Sequence, residues 1–134
     1  MISILGIPTD RNSSFLTGAA QSPSIIMQEF NSDATNKFSE NGIDLGQENI
    51  WMDHGNLELK DQDNEFELIR DAIQTELKNG NYCISIGGDH SITFPIIDGY
   101  HKFFSKINIL HFDAHPDLYE NYNNNHYSHA SPFA

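Results

Sequence analysis

INILHFDAHPD, residues 107–117, is an apolar run that breaks into a cluster of acidic and imidazole side chains. Asp113, His115 and Asp117 stand at i, i+2 and i+4. In extended backbone that spacing puts all three on one face, because side chains alternate across a strand. Pro116 lies between two of them and argues against a helix interior. Two carboxylates and an imidazole converging at a strand end suit a divalent cation such as Mn²⁺, Fe²⁺, Co²⁺ or Zn²⁺. A thiolate-seeking site would use Cys instead.

Working outward, the apolar run is expected to be one of four strands. Residues 2–7, ISILGI, read as a first strand buried on both faces, stopped by Pro8 and a polar loop. Ser22-Pro23 reads as a helix start, Ser as N-cap and Pro at the first helical position. Ile25, Ile26 and Phe30 are its expected buried stripe. A second strand is expected within Ile43 to Trp51. From Asp63 to Lys78 the apolar residues Phe66, Ile69, Ile73 and Leu77 recur at three- and four-residue steps, which predicts a helix. Asn79-Gly80 supplies its stop. Tyr82 to Ile86 is the third strand, closed by Gly87-Gly88. Asp89-His90-Ser91 opens a further helix running to about Phe104, and Ile107 to Phe112 is the fourth strand.

Strands alternating with helices predict an α/β fold, a mainly parallel sheet in a three-layer α/β/α arrangement. Ligands of such sheets bind at the carboxyl ends of strands. His90 follows the third strand and Asp113 the fourth, so both fall at such ends. The reading expects the two strands to be neighbours.

The bulk composition narrows the partners. A net charge of −12 in 134 residues repels a phosphate backbone or an anionic membrane, so neither nucleic acid nor a membrane is expected. No run of about eighteen apolar residues occurs, and the N-terminus lacks the form of a secretory signal. The single cysteine, Cys83, forms no disulfide framework. These features fit a cytoplasmic protein.

Three motifs occur in order: GGDHS at 87–91, DAHPD at 113–117 and SHASPF at 128–133. Together with the opening GIPTDRNSSFLTGAAQSPSII they resemble the ureohydrolase superfamily, the arginase and agmatinase enzymes. The resemblance runs over the whole chain and corresponds to the N-terminal part of a single arginase-like domain. It implies two Mn²⁺ ions per active site. His90 and Asp117 would bind one, His115 the other, and Asp113 would bridge them. It places His129 near the substrate, where it could shuttle a proton. Asp89, beside a ligand, is read as an acceptor that orients the site from behind the ligands. Family members add two aspartates in a later D-x-D motif and a still later Glu that holds the guanidinium; neither follows within 1–134, so the C-terminal part is read as absent.

The activity so implied is hydrolysis of a guanidino compound, agmatine to putrescine and urea foremost, through a hydroxide bridging the metals. Arginine or another guanidino acid is the alternative substrate. A related amidohydrolase acting on an acylated polyamine would release carboxylate in place of urea, and an inactive association module is a third reading. Family membership also implies a homo-oligomer. Elsewhere, His54 is read as structural or exposed, His101 and His126 as solvated. His111 shares the parity of Asp113 but falls inside the strand, so a packed role is expected. Gly87-Gly88 is no phosphate loop, since no Lys-Ser/Thr follows.

Overall fold

The computed structural model describes residues 1–47, 49–59 and 63–134. Three strands, β1 (Ile2–Ile7), β2 (Trp51–Asn56) and β3 (Tyr82–Gly87), form a parallel sheet in the order β2-β1-β3. Three helices connect or follow them: α1 (Ser22–Phe30), α2 (Glu65–Lys78) and α3 (Thr93–Phe103). The central strand β1 registers Ile4 against Asp53 on one side and Ile84 on the other.

Alternation along β1 sets the layers. Ser3, Leu5 and Ile7 point to the α2 side, where Ser3 bonds Glu76, Leu5 packs with Ile73 and Leu77, and Ile7 packs with Ile69. Thr9, just beyond the strand, bonds Glu65 at 3.1 Å. Each two-residue step in the strand, about 6.6 Å, is matched by one turn of helix, about 5.4 Å. The helix therefore runs antiparallel over β1, apolar in the middle and polar at both ends. Ile92 and Ile96 from the last helical segment close this core. On the other face, Gly6 meets Pro23 of α1, and Phe30 packs edge-on against Trp51 at 5.3 Å. Helices thus cover both faces, as the α/β/α reading expects.

The stripe of α2 is as predicted: Ile69, Ile73 and Leu77 are buried, and Asn79-Gly80 ends the helix, with φ +78° at Gly80. Four expectations are corrected. In α1, Ser22 lies inside the helix and Gln21 is the N-cap, because a 3₁₀ turn at Ala19–Gln21 precedes it. Its inward residue is Pro23, with Met27 and Phe30 partly covered one and two turns on, while Ile25 and Ile26 are about half exposed. The second strand begins at Trp51, where the expected Ile43–Trp51 segment ends; residue 48 of that segment lies outside the described residues. Trp51–Asn56 is a polar strand because it holds an edge position, exposed along most of its length.

The fourth correction concerns 107–112. These residues join no ladder, and Leu110 and Phe112 are 81% and 88% exposed. A strand exists only where a neighbour pairs its N–H and C=O groups. Among the described residues nothing pairs with this run, and β3 pairs on one side only. The two segments are therefore not adjacent strands, although their ends meet.

Candidate metal centre

The turn after β3 brings the first ligand-type residue into place. Gly88 donates its N–H to the Ile7 carbonyl at 3.1 Å, and Asp89 donates to the Thr9 carbonyl at 3.0 Å. Any side chain at Gly88 would run into that Thr9 carbonyl. Asp89 is buried and caps the following 3₁₀ turn, accepting from the Ser91 N–H at 2.8 Å. It also accepts from the Asn12 N–H at 3.0 Å, tying the loop after β1 to this turn. Asp89 thus fixes the backbone beside His90 by accepting from the N–H groups of Ser91 and Asn12, and no hydrogen bond joins it to the imidazole.

His90 reaches across to the second motif. Its Nε2 lies 3.3 Å from Asp117 Oδ2. That separation lacks hydrogen-bond alignment, and Nε2 is buried with no partner. Its other nitrogen, Nδ1, lies 3.0 Å from Thr93 Oγ1. An imidazole that donates from Nδ1 to a hydroxyl presents the lone pair of Nε2, the arrangement found when that atom coordinates a metal. Asp117 is buried and has φ +49°, left-handed backbone that Asp tolerates better than most residues.

His90, His111, Asp113 and Asp117 each offer one ligand atom, all within 4.8 Å of one another. Ligands about 2.2 Å from one ion lie at most about 4.4 Å apart, so the set closes on a cation by moving a few tenths of an ångström. The mix of imidazole and carboxylate donors fits a divalent first-row ion, and so does the orphaned Nε2. His90 and His111 rings stack at 5.5 Å, and Phe133 packs against both. His111 is thus packed between these rings, as expected for it, and in addition brings a ligand-type atom to the cluster, in line with its shared parity with Asp113.

His115 stands apart from that set. It is mostly exposed, with Nδ1 3.7 Å from Asp113 Oδ1. His111 Nε2 lies 3.7 Å from the other oxygen, Asp113 Oδ2. Asp113 thus presents its two oxygens to different imidazoles. The His115 N–H donates to Asp113 at 3.0 Å and holds the carboxyl below the usual carboxylate range, with His111 adding to the effect. Beside the cluster lies an open cavity of about 440 Å³ lined by His115, Asp117, Leu118, Tyr119, Tyr122 and His129. His129 is set there by its Nδ1, 3.0 Å from the Asn12 carbonyl. Thr93 and Asn12 were not singled out in the sequence; both lie outside the motif residues that carry charge.

Known proteins bear on this geometry. The family model described as the Arginase family matches residues 1–134. The mitochondrial arginase of Medicago truncatula is 36% identical, over 98% of this chain and 42% of that protein. The N(1)-aminopropylagmatine ureohydrolase of Thermus thermophilus is 32% identical, over 98% of this chain and 45% of that protein. The solved arginase from Medicago truncatula superposes with a TM-score of 0.90 at 33% identity, covering 98% of this chain and 44% of that one. The chain spans less than half the length of these relatives. Among the described residues no helix is long and apolar enough to cross a membrane.

Proposed function

The chain belongs to the arginase family, and on that premise we propose that its 134 residues form the N-terminal part of one catalytic domain hydrolysing a guanidino compound to urea and an amine. The observation that carries this reading is the buried, partnerless Nε2 of His90 facing the Asp117 carboxylate. The free side of β3 and the exposed run 107–112 fit a sheet that further chain would complete.

A guanidinium carbon is a poor electrophile, because its charge is spread over three nitrogens. Two Mn²⁺ ions, when bound, supply hydroxide near neutral pH. His90 and Asp117 would hold one ion with His111 beside them, His115 would hold the other, and Asp113 would offer an oxygen to each. A low carboxyl pKa keeps Asp113 ionised for that role. His129, on the wall of the adjoining cavity, gives a proton to the amine nitrogen as its bond to the guanidino carbon breaks.

Agmatine is the substrate this cavity suits best. The described residues lining it include Tyr119 and Tyr122, whose rings attract cations, and among them is neither Lys nor Arg to pair a carboxylate. Arginine is the second reading, favoured by the relatives named as arginases. The test is urea release by the Mn²⁺-loaded parent protein. The proposal expects urea from agmatine at a kcat/KM above that for arginine. A reversed ratio would support the second reading, and carboxylate release from acylated amines without urea would overturn both.

A further inference from the structure

We propose that Asn12 is a positioning residue: its carbonyl fixes the tautomer of His129 while its side chain locks the His129 loop to the metal-binding turn. This rests on the proposed proton-carrying role of His129.

Every polar atom of Asn12 is committed, each to a different part of the site. Its backbone N–H donates to Asp89 at 3.0 Å. Its Nδ2 donates to Ser91 Oγ at 3.1 Å. Its Oδ1 accepts from Asn125 Nδ2 at 2.9 Å. Its carbonyl faces His129 Nδ1 at 3.0 Å and the His129 N–H at 3.4 Å. The amide orientations follow from the network. Asn125 Oδ1 accepts the Tyr127 N–H at 2.9 Å, so its Nδ2 is what points at Asn12. Asn12 must then present Oδ1 to Asn125 and Nδ2 to Ser91.

A carbonyl oxygen only accepts, so the neutral His129 ring must carry its hydrogen on Nδ1. Nε2 is left with a lone pair, 3.5 Å from Ser14 Oγ, which can donate to it. Nε2 is therefore the atom that takes up and delivers a proton. The Asn12 residue that sets this also grips Asp89 and Ser91, the two neighbours of His90. One residue thus holds the proton carrier and a metal ligand in a common frame.

Side-chain ¹⁵N–¹H NMR of the ¹⁵N-labelled chain, at a pH where histidine is neutral, reads the tautomer without turnover. A chain that yields no urea still answers it, so failure here is distinguishable from failure of the proposed reaction. The expected spectrum shows His129 as the Nδ1–H form by about tenfold, the preference one added hydrogen bond supplies. Asn12→Ala keeps the carbonyl but frees the loop that presents it, so it should reduce that preference severalfold, and Asn12→Asp should restore it, since Asp still accepts from Asn125 and takes a hydrogen from Ser91. A wild-type spectrum dominated by Nε2–H overturns the proposal outright. An unchanged Nδ1–H preference in Asn12→Ala overturns the part given to the side chain.

Discussion

Replacing Gly88 by alanine tests the joint on which the proposed metal centre hangs. The Gly88 backbone lies outside the left-handed region, so alanine meets no conformational penalty. It meets the Thr9 carbonyl, a backbone atom that no side-chain rotation can clear. Relief requires the loop after β1 to part from the turn after β3. That loosens the bonds from Gly88 to Ile7 and from Asp89 to Thr9. Overpacking costs about 1–3 kcal/mol, and each backbone bond about 1 kcal/mol net. The expected loss is then about 3–5 kcal/mol, a large share of the roughly 5–15 kcal/mol by which native proteins are stable. At about 2 kcal/mol per molar urea, the midpoint falls by about 2 M. Gly80→Ala is the control. Its backbone is left-handed at φ +78° in open space, so its cost is conformational, about 1–2 kcal/mol. Only the Gly88 variant should also lose Mn²⁺ affinity, because His90 lies two residues on. Equal midpoints for the two variants, with Mn²⁺ binding intact in both, would refute the close approach as the device that places His90.

Three further outcomes are expected. Ser3 and Asn81 bond Glu76, with His54 nearby; the Ser3 bond is the largest influence and holds the Glu76 carboxyl below its ordinary value despite burial. A depressed pKa stabilises above the ordinary carboxylate value, and that stability is lost as pH falls through the folded value. Ser3→Ala should thus cost about 1.5–3 kcal/mol at pH 7 and progressively less as the pH falls through the folded value, read by urea unfolding; a cost that stays constant down to acid unfolding would contradict the charged bond. His111→Ala should weaken binding of the first Mn²⁺ more than His115→Ala does, since only His111 lies in the four-residue set; calorimetry giving the reverse order would remove His111 from the centre. In the parent protein, Asp113→Ala should abolish urea production and binding of the ion pair, and full activity in that variant would refute the bridging role.

Much of the fold was legible because its signals are local. The α2 stripe repeats every three or four residues, and Ile69, Ile73 and Leu77 are buried as that period requires. Strands β1 and β3 are apolar runs bounded by Pro8 and Gly88. Strand β2 was shifted because WMDHGN is an edge strand, whose polar side chains answer to solvent and carry no period. The α1 stripe was misassigned since Ile25 and Ile26 are hydrophobic yet point outward, while Pro23 fills the inner position. Residues 107–112 have strand composition, but pairing is a property of neighbours and none is in reach among the described residues. At the site, the i, i+2, i+4 spacing grouped Asp113, His115 and Asp117, and the family resemblance added His90; the structure brings His90, Asp113 and Asp117 together and leaves His115 mostly exposed beside Asp113. Parity alone does not separate His111 from His115, since both share it with Asp113, and the turn beyond the run decides which faces His90. Asn12 escaped notice because it is uncharged and its partners Asp89, Ser91, Asn125 and His129 are all distant in sequence.

His90, Asp113 and Asp117 are proposed to converge on a divalent cation. Electron paramagnetic resonance during Mn²⁺ titration of the chain tests it directly, because the sharp signal of free Mn²⁺ disappears on binding. Wild type should show a saturable loss of signal, and His90→Ala and Asp117→Ala a much weaker one. Identical titration curves for the wild type and those two variants would contradict it.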